Sequence, residues 1–175
     1  MIVGFKGAFK IAEVGTSFVS LFFWEEELVK NAIVIDVDGV ILNSAFIFDE
    51  IFKLGLKGDT MWDYFHEHCN SERVKLISDF KPLYDLLKGF NINLILLTSR
   101  NDKVKLETTR KLRSEGIFFD NLYMRKNGDY RESHIIKKET LQNLQKEYNI
   151  LMFIDDDLSN CEAAKELGIF SLRKV

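Results

Sequence analysis

The stretch Ala32-Ile33-Val34-Ile35-Asp36-Val37-Asp38-Gly39-Val40-Ile41-Leu42 decides the fold. Four apolar residues in succession, three of them β-branched, read as a strand buried on both faces, as in a parallel sheet covered by helices. Two carboxylates do not belong inside such a strand. They belong at its carboxyl end, where open α/β sheets place their ligands. Asp36 and Asp38 stand two residues apart, so their side chains leave the backbone on roughly the same side, and Gly39 permits a sharp turn beside them. The pattern suits a site for a hard cation and a phosphoryl group.

Downstream, the chain alternates strands and helices. Residues 44–54 and 61–69 carry apolar side chains at helical spacing and predict two short helices around the turn signal Lys57-Gly58-Asp59. The spacing of Val74, Ile77, Phe80, Leu83, Tyr84 and Leu87 predicts one longer helix from Ser71 to Lys88, with Pro82 as a kink or restart. Ile92–Leu97, Phe118–Met124, Ile150–Ile154 and Ile169–Leu172 read as further strands. The intervening helices span about 102–114, 133–148 and 159–167. Strands separated by helices of this length pair in parallel through right-handed crossovers. The expected architecture is therefore α/β, a three-layer α/β/α sandwich around a Rossmann-like parallel sheet.

Polar residues gather at the predicted strand ends: Asp36 and Asp38, then Thr98, then Asp155 and Asp156. A parallel sheet brings these ends to one edge, and Lys137, early in its helix, can reach the same place. Crowded carboxylates repel unless a cation sits among them, and an all-oxygen cluster suits Mg²⁺. These groups fit phosphoryl transfer through an aspartyl-phosphate. One carboxylate attacks, a second acid serves the leaving oxygen and later the water, and lysine and hydroxyl neutralise the transferring oxygens. Asp157 or Ser159, by contrast, reads as the helix N-cap residue.

Asp36-Val37-Asp38-Gly39-Val40, Thr98 after Leu94-Ile95-Leu96-Leu97, a lysine in the next helix region, and Phe153-Ile154-Asp155-Asp156 resemble, in order, the four motifs of the haloacid dehalogenase (HAD) superfamily. The resemblance implies a HAD-like phosphatase domain over residues 32–175 with a minimal cap, a short insert at about 43–70. It implies Asp36 as nucleophile, Asp38 as general acid/base and Thr98 and Lys137 as phosphate contacts. Mg²⁺ would be held by Asp36, Asp155 or Asp156, and the backbone carbonyl of Asp38. Trp62-Asp63-Tyr64-Phe65, Leu97-Thr98-Ser99-Arg100, Leu122-Tyr123-Met124-Arg125, Gly128-Asp129-Tyr130-Arg131 and Ile135-Ile136-Lys137 are similar to the phosphatase domain of polynucleotide kinases and its small stand-alone relatives. That likeness selects Lys137 over Lys138 and implies Arg100, Arg125 and Arg131 as substrate contacts, with departures at Ser99 and at Ser133-His134.

The implied activity is Mg²⁺-dependent hydrolysis of a phosphomonoester, on a nucleic-acid 3′-phosphate or a nucleotide. The alternatives are a sugar-phosphate phosphatase or mutase, and a HAD-fold binding protein without turnover. A net charge of −3 gives no global attraction to nucleic acid. Cys69 and Cys161 lack metal-type spacing and read as free thiols of a reducing compartment. The apolar window Phe18–Trp24 falls short of the ~20 residues that cross a bilayer and runs into acidic residues. No membrane span or signal peptide is expected, and the expected location is cytoplasmic. Residues 1–31 read as an extension packed on the core or a partner subunit, with a hairpin over Met1–Val14 and a strand or helix start over Phe18–Trp24. Oligomeric state stays open, a dimer included.

Overall fold

The computed structural model describes residues 12–14, 17–19 and 29–175. β1 (Ala12–Val14) and β2 (Ser17–Val19) pair antiparallel. The rest of the expected hairpin over Met1–Val14, and the strand or helix start beyond Val19, lie outside the described residues.

The core begins with β3 (Lys30–Ile35). It continues through β4 (Leu42–Asn43), α1 (Ala45–Leu54), α2 (Gly58–His68), β5 (Lys75–Leu76), α3 (Phe80–Leu87) and β6 (Asn93–Asn101). A 3₁₀ turn at Asp102–Val104 leads to α4 (Lys105–Ser114), β7 (Asn121–Arg125), α5 (Ser133–Leu144), β8 (Tyr148–Asp155), α6 (Leu158–Glu166) and β9 (Ser171–Arg173). Five strands form one parallel sheet in the order β7-β6-β3-β8-β9. The first strand of this sheet, β3, lies at its centre, because crossovers carry the chain to one side and then to the other.

Alternation along the central strands divides the interior into two layers. Ile33, Ile35, Leu96 and Ile154 pack with Phe80, Tyr84 and Leu112 and with the insert residues Ile47, Ile51 and Phe65. Ala32, Val34, Ile95, Leu97 and Phe153 face the other way, against Leu141, Leu144 and Ala164. Both faces of the sheet are thus covered, which explains why β3 reads as a continuous apolar run.

The helix expected over Ser71–Lys88 is corrected. Lys75–Leu76 pair antiparallel with β4, and the Ile77 N–H donates to the Ile41 carbonyl at 2.8 Å. Only Phe80–Leu87 are helical. Pro82 sets this boundary: it falls in the first turn of α3, where its missing N–H has no intrahelical partner to lose. Val74 is fully buried in the core layer that holds Phe65 and Phe80 although it lies outside any helix, so its apolar spacing has another cause.

Candidate active site

Sheet register brings the predicted motifs to one edge. Ile35 is level with Leu96 on one side and with Ile154 on the other, so Asp36, Leu97-Thr98 and Asp155 leave the sheet together. The Asp36 N–H donates to the Ile154 carbonyl at 2.9 Å, tying two of these ends at the point of exit. Beyond Asp36 the backbone closes a tight turn, with the N–H groups of Ile41 and Leu42 on the Val37 carbonyl. Gly39 occupies that turn with φ +73°, and a Cβ there would stand 2.1 Å from Asp156 Oδ2. Only glycine admits both this conformation and the approach of Asp156.

Lys137 is buried in the midst of the acids. Its ammonium donates to Asp155 Oδ2 at 2.7 Å and lies 3.0 Å from Asp36 Oδ1. Asp36 Oδ1 is buried and makes no aligned hydrogen bond, even with the lysine at that distance. Burial, followed by the charges of Asp155 and Asp38, pushes the Asp36 carboxyl well above the usual range, Lys137 opposing. Burial works against the Lys137 ammonium too, but Asp36 and Asp155 outweigh it and raise its pKa. Asp155 is the most engaged acid, because its Oδ1 also accepts from the Asp157 N–H at 2.9 Å and from Asn160 Nδ2 at 3.0 Å.

Asp36, Asp155 and Asp156 each offer an oxygen within 4.8 Å of the others. One lysine does not balance them, and an unbonded buried oxygen remains on Asp36. A hard divalent cation fits this donor set. Asp156 is the less committed of the tandem acids, and burial with the Asp155 charge raises its pKa. Asp157 instead caps α6, accepting from the Ser159 N–H.

Asp38 faces a different cation. Arg100 Nε and Nη2 donate to its two oxygens at 2.8 Å each, a bidentate ion pair. Burial would raise the Asp38 carboxyl, but this guanidinium, aided by the Ser44 hydroxyl, holds it below the ordinary value. Thr98 is buried at the same sheet end, its Oγ1 accepting from the Arg100 N–H at 3.2 Å.

The three arginines expected to contact substrate are already engaged within the protein. Arg100 is 1% exposed, and Nη1 completes its bonding with Asn70 Oδ1 at 2.7 Å and Thr108 Oγ1 at 3.3 Å. It holds Asp38 through the other two nitrogens. Arg125 staples the following loop through the carbonyls of Ser99, Asp129 and Arg131. Arg131 is paired with Asp129 and with Glu139.

A cleft of about 960 Å³ opens beside this edge, between α2 and the loop after β7. Trp62 and Tyr130 line it, and its carboxylates (Asp59, Asp63, Glu67, Asp129, Glu132 and Asp157) outnumber its basic side chains, Lys103, Arg125 and Arg131. His66 also lines it, accepting from the Asn101 N–H through Nε2 at 3.1 Å. Sequence reading missed Asn70, Thr108 and Asn160. Asn160 had a signal, standing five residues after Asp155 in the first turn of a helix. Nothing in the sequence joins Asn70 to Arg100.

Residues 16–173 match the model of HAD superfamily, subfamily IIIB (acid phosphatase). No match is found among curated proteins. Among solved structures, the chain is similar to one in a Pnkp1/Rnl/Hen1 complex, at TM-score 0.66 and 21% identity over 93% of this chain and 55% of that one. It therefore spans about half the length of that relative. A class C acid phosphatase from Bacillus anthracis with tungstate bound is similar at TM-score 0.60 and 15% identity, over 81% of this chain and 66% of that one. A haloacid dehalogenase-like hydrolase from Streptococcus pneumoniae, SP0104, is similar at TM-score 0.62 and 16% identity, over 83% of this chain and 84% of that one.

Proposed function

The chain belongs to the acid phosphatases of HAD subfamily IIIB, and we propose that it is a Mg²⁺-dependent phosphomonoesterase working through an aspartyl-phosphate on Asp36. One observation carries the reading: a buried carboxylate oxygen with no hydrogen bond, 3.0 Å from a buried lysine, at the shared edge of three strands. Such an oxygen is poised to bond to something that is neither protein nor bulk water.

In the first half-reaction an Asp36 oxygen bonds to phosphorus and the ester P–O bond breaks. Its electron pair goes to the leaving oxygen, which takes a proton from Asp38. In the second half the Asp38 carboxylate accepts a proton from water as the water oxygen bonds to phosphorus and Asp36 is released. The Arg100 ion pair favours the carboxylate form that this half requires, so the first half draws on the minority protonated form of Asp38. Lys137 and Thr98 stabilise charge on the transferring oxygens. Asp36, Asp155, Asp156 and the Asp38 main-chain carbonyl would hold Mg²⁺, which when bound supplies positive charge to the phosphoryl oxygens.

The substrate is read as a phosphomonoester with a nucleotide-sized leaving group. An RNA repair complex among the similar structures gives a nucleic-acid 3′-phosphate a place beside the free nucleotide. The acidic lining of the cleft favours the nucleotide, because each further phosphate of a polymer would meet carboxylates. Among the described residues no helix is long and apolar enough to cross a membrane. The free buried thiols Cys69 and Cys161 support a cytoplasmic location.

The test is a panel of 3′-phosphorylated oligonucleotides, nucleotides, sugar phosphates and an aryl phosphate, with Mg²⁺ or with EDTA. Hydrolysis is expected to require metal and to vanish in Asp36→Asn. Turnover that survives both treatments would refute the reading.

A further inference from the structure

The insert that walls the cleft also reaches the far side of the Asp38 ion pair. Two residues beyond the end of α2, Asn70 Oδ1 accepts from Arg100 Nη1 at 2.7 Å. Nε and Nη2 of the same guanidinium hold the two Asp38 oxygens at 2.8 Å each. A planar fork cannot rotate without losing both bonds to the carboxylate, so whatever fixes Nη1 fixes Asp38 as well. Thr108 Oγ1 is the other Nη1 partner, at a weaker 3.3 Å.

Asn70 keeps this bond at a cost. Its Nδ2 is buried without a hydrogen-bond partner, and an unsatisfied buried amide is unfavourable. An apolar residue of similar size would fill the space without that cost but could not accept from Arg100. A second tie joins α2 to the same strand end, through His66 Nε2 and the Asn101 N–H.

We infer that Asn70 is a positioning residue for Asp38, acting through Arg100. The inference rests on the reading of Asp38 as the proton donor to the leaving oxygen. When Asp36 bonds to phosphorus, an alkoxide leaving group must receive that proton as its P–O bond breaks, whereas a nitrophenolate departs without it. Misplacing Asp38 therefore slows esters of basic alcohols selectively, a signature that ordinary structural damage does not produce.

The experiment measures kcat/KM for glycerol 2-phosphate and for 4-nitrophenyl phosphate in the full chain with saturating Mg²⁺. Wild type, Asn70→Ala and the isosteric Asn70→Asp are compared. The ratio of the two values within one preparation does not depend on the fraction of molecules that fold. It is expected to fall by roughly tenfold or more in Asn70→Ala, within the range that a general acid contributes, and to stay near wild type in Asn70→Asp, whose carboxylate still accepts from Arg100 Nη1. A wild-type ratio in Asn70→Ala, including a parallel loss on both substrates, or an equal fall in Asn70→Asp, overturns the inference. Asp36→Asn separates the two levels: if it is inactive while the ratio is unchanged, only the role of Asn70 fails. If it turns substrate over, the functional reading and this inference fall together.

Discussion

Replacing Gly39 by alanine tests whether Asp156 belongs to the metal side of the site. The new Cβ would stand 2.1 Å from Asp156 Oδ2 and 2.5 Å from its Cγ. Ordinary carbon–oxygen approaches lie near 3.3 Å, so the carboxylate must withdraw by about 1.2 Å. Mg²⁺ holds its ligands at about 2.0–2.1 Å in near-octahedral geometry and does not follow such a shift. Perturbing a metal site's support costs roughly 10- to 100-fold in affinity, and the Mg²⁺ concentration for half-maximal activity should rise by that factor. The backbone contributes separately, because φ is +73° and a non-glycine residue there costs about 1–2 kcal/mol. That lowers the melting temperature by about 2–8 °C in a domain of this size. Gly116→Ala is the control, since its φ is +78° but nothing lies within 4 Å of an added Cβ. It should reproduce the loss of melting temperature and leave the Mg²⁺ requirement unchanged. The assay titrates Mg²⁺ against aryl-phosphate turnover in wild type and both variants. Equal half-saturation in wild type and Gly39→Ala would refute the placement of Asp156.

Arg100→Ala removes one partner of a buried ion pair and should cost about 3–5 kcal/mol, read as a melting temperature lower by roughly 6–20 °C. An unchanged melting temperature with a raised KM would restore the substrate-contact role instead. Lys137→Met leaves Asp36 and Asp155 buried without their cation. Added Mg²⁺ should therefore raise its melting temperature more than that of wild type, and an equal rise would separate the lysine from the metal. Burial, with the Arg100 charge second, lowers the His66 pKa from 6.5. Its depressed folded value means that stability present above pH 6.5 is lost as pH falls from there through that value. His66→Gln should flatten this part of the melting profile; a profile identical to wild type would refute the assignment.

The strand ends were legible because a doubly buried strand has a simple signature. Ile33 to Ile35 and Leu94 to Leu97 are apolar on both faces, and the first polar residue marks where pairing with the central strand stops. Asp36, Thr98 and Asp155 stand at these strand ends. Helical spacing misled over Ser71–Lys88, since Val74 and Ile77 are drawn inward by a two-residue strand that pairs with distant Leu42 and Asn43. Local periodicity cannot record such a partner. The arginines are harder to read for a related reason: a basic residue after a strand end has the same spacing whether it faces a ligand or a carboxylate. Arg100 turns inward because Asp38 lies within reach of its fork, and Asn70 and Thr108 accept from the remaining nitrogen.

The same geometry gives two adjacent aspartates different chemistry. Asp36 and Asp38 have the same intrinsic acidity and are separated by one valine. Asp36 lies beside Lys137, which it shares with fully buried Asp155, and burial outweighs the lysine. Asp38 accepts two bonds from a guanidinium whose other partners, Asn70 and Thr108, are uncharged, and its pKa moves the other way. For the proposed mechanism, each displacement suits one role. An acid destabilised as an anion by burial gains most from a divalent cation and from sharing its charge with phosphorus. A carboxylate held ionised by a fixed fork stays ready to take a proton from water. Lys137 and Arg100 come from different elements, α5 and the end of β6, so the two environments can be altered separately. Altering each acid should therefore have a different effect: Asp36→Glu, which crowds Lys137, is expected to lower phosphoryl transfer from all esters alike. Asp38→Asn should spare 4-nitrophenyl phosphate in that first step and slow glycerol 2-phosphate. Equal loss on both substrates in Asp38→Asn, measured as kcat/KM, would show that the two acids do not divide the reaction in this way.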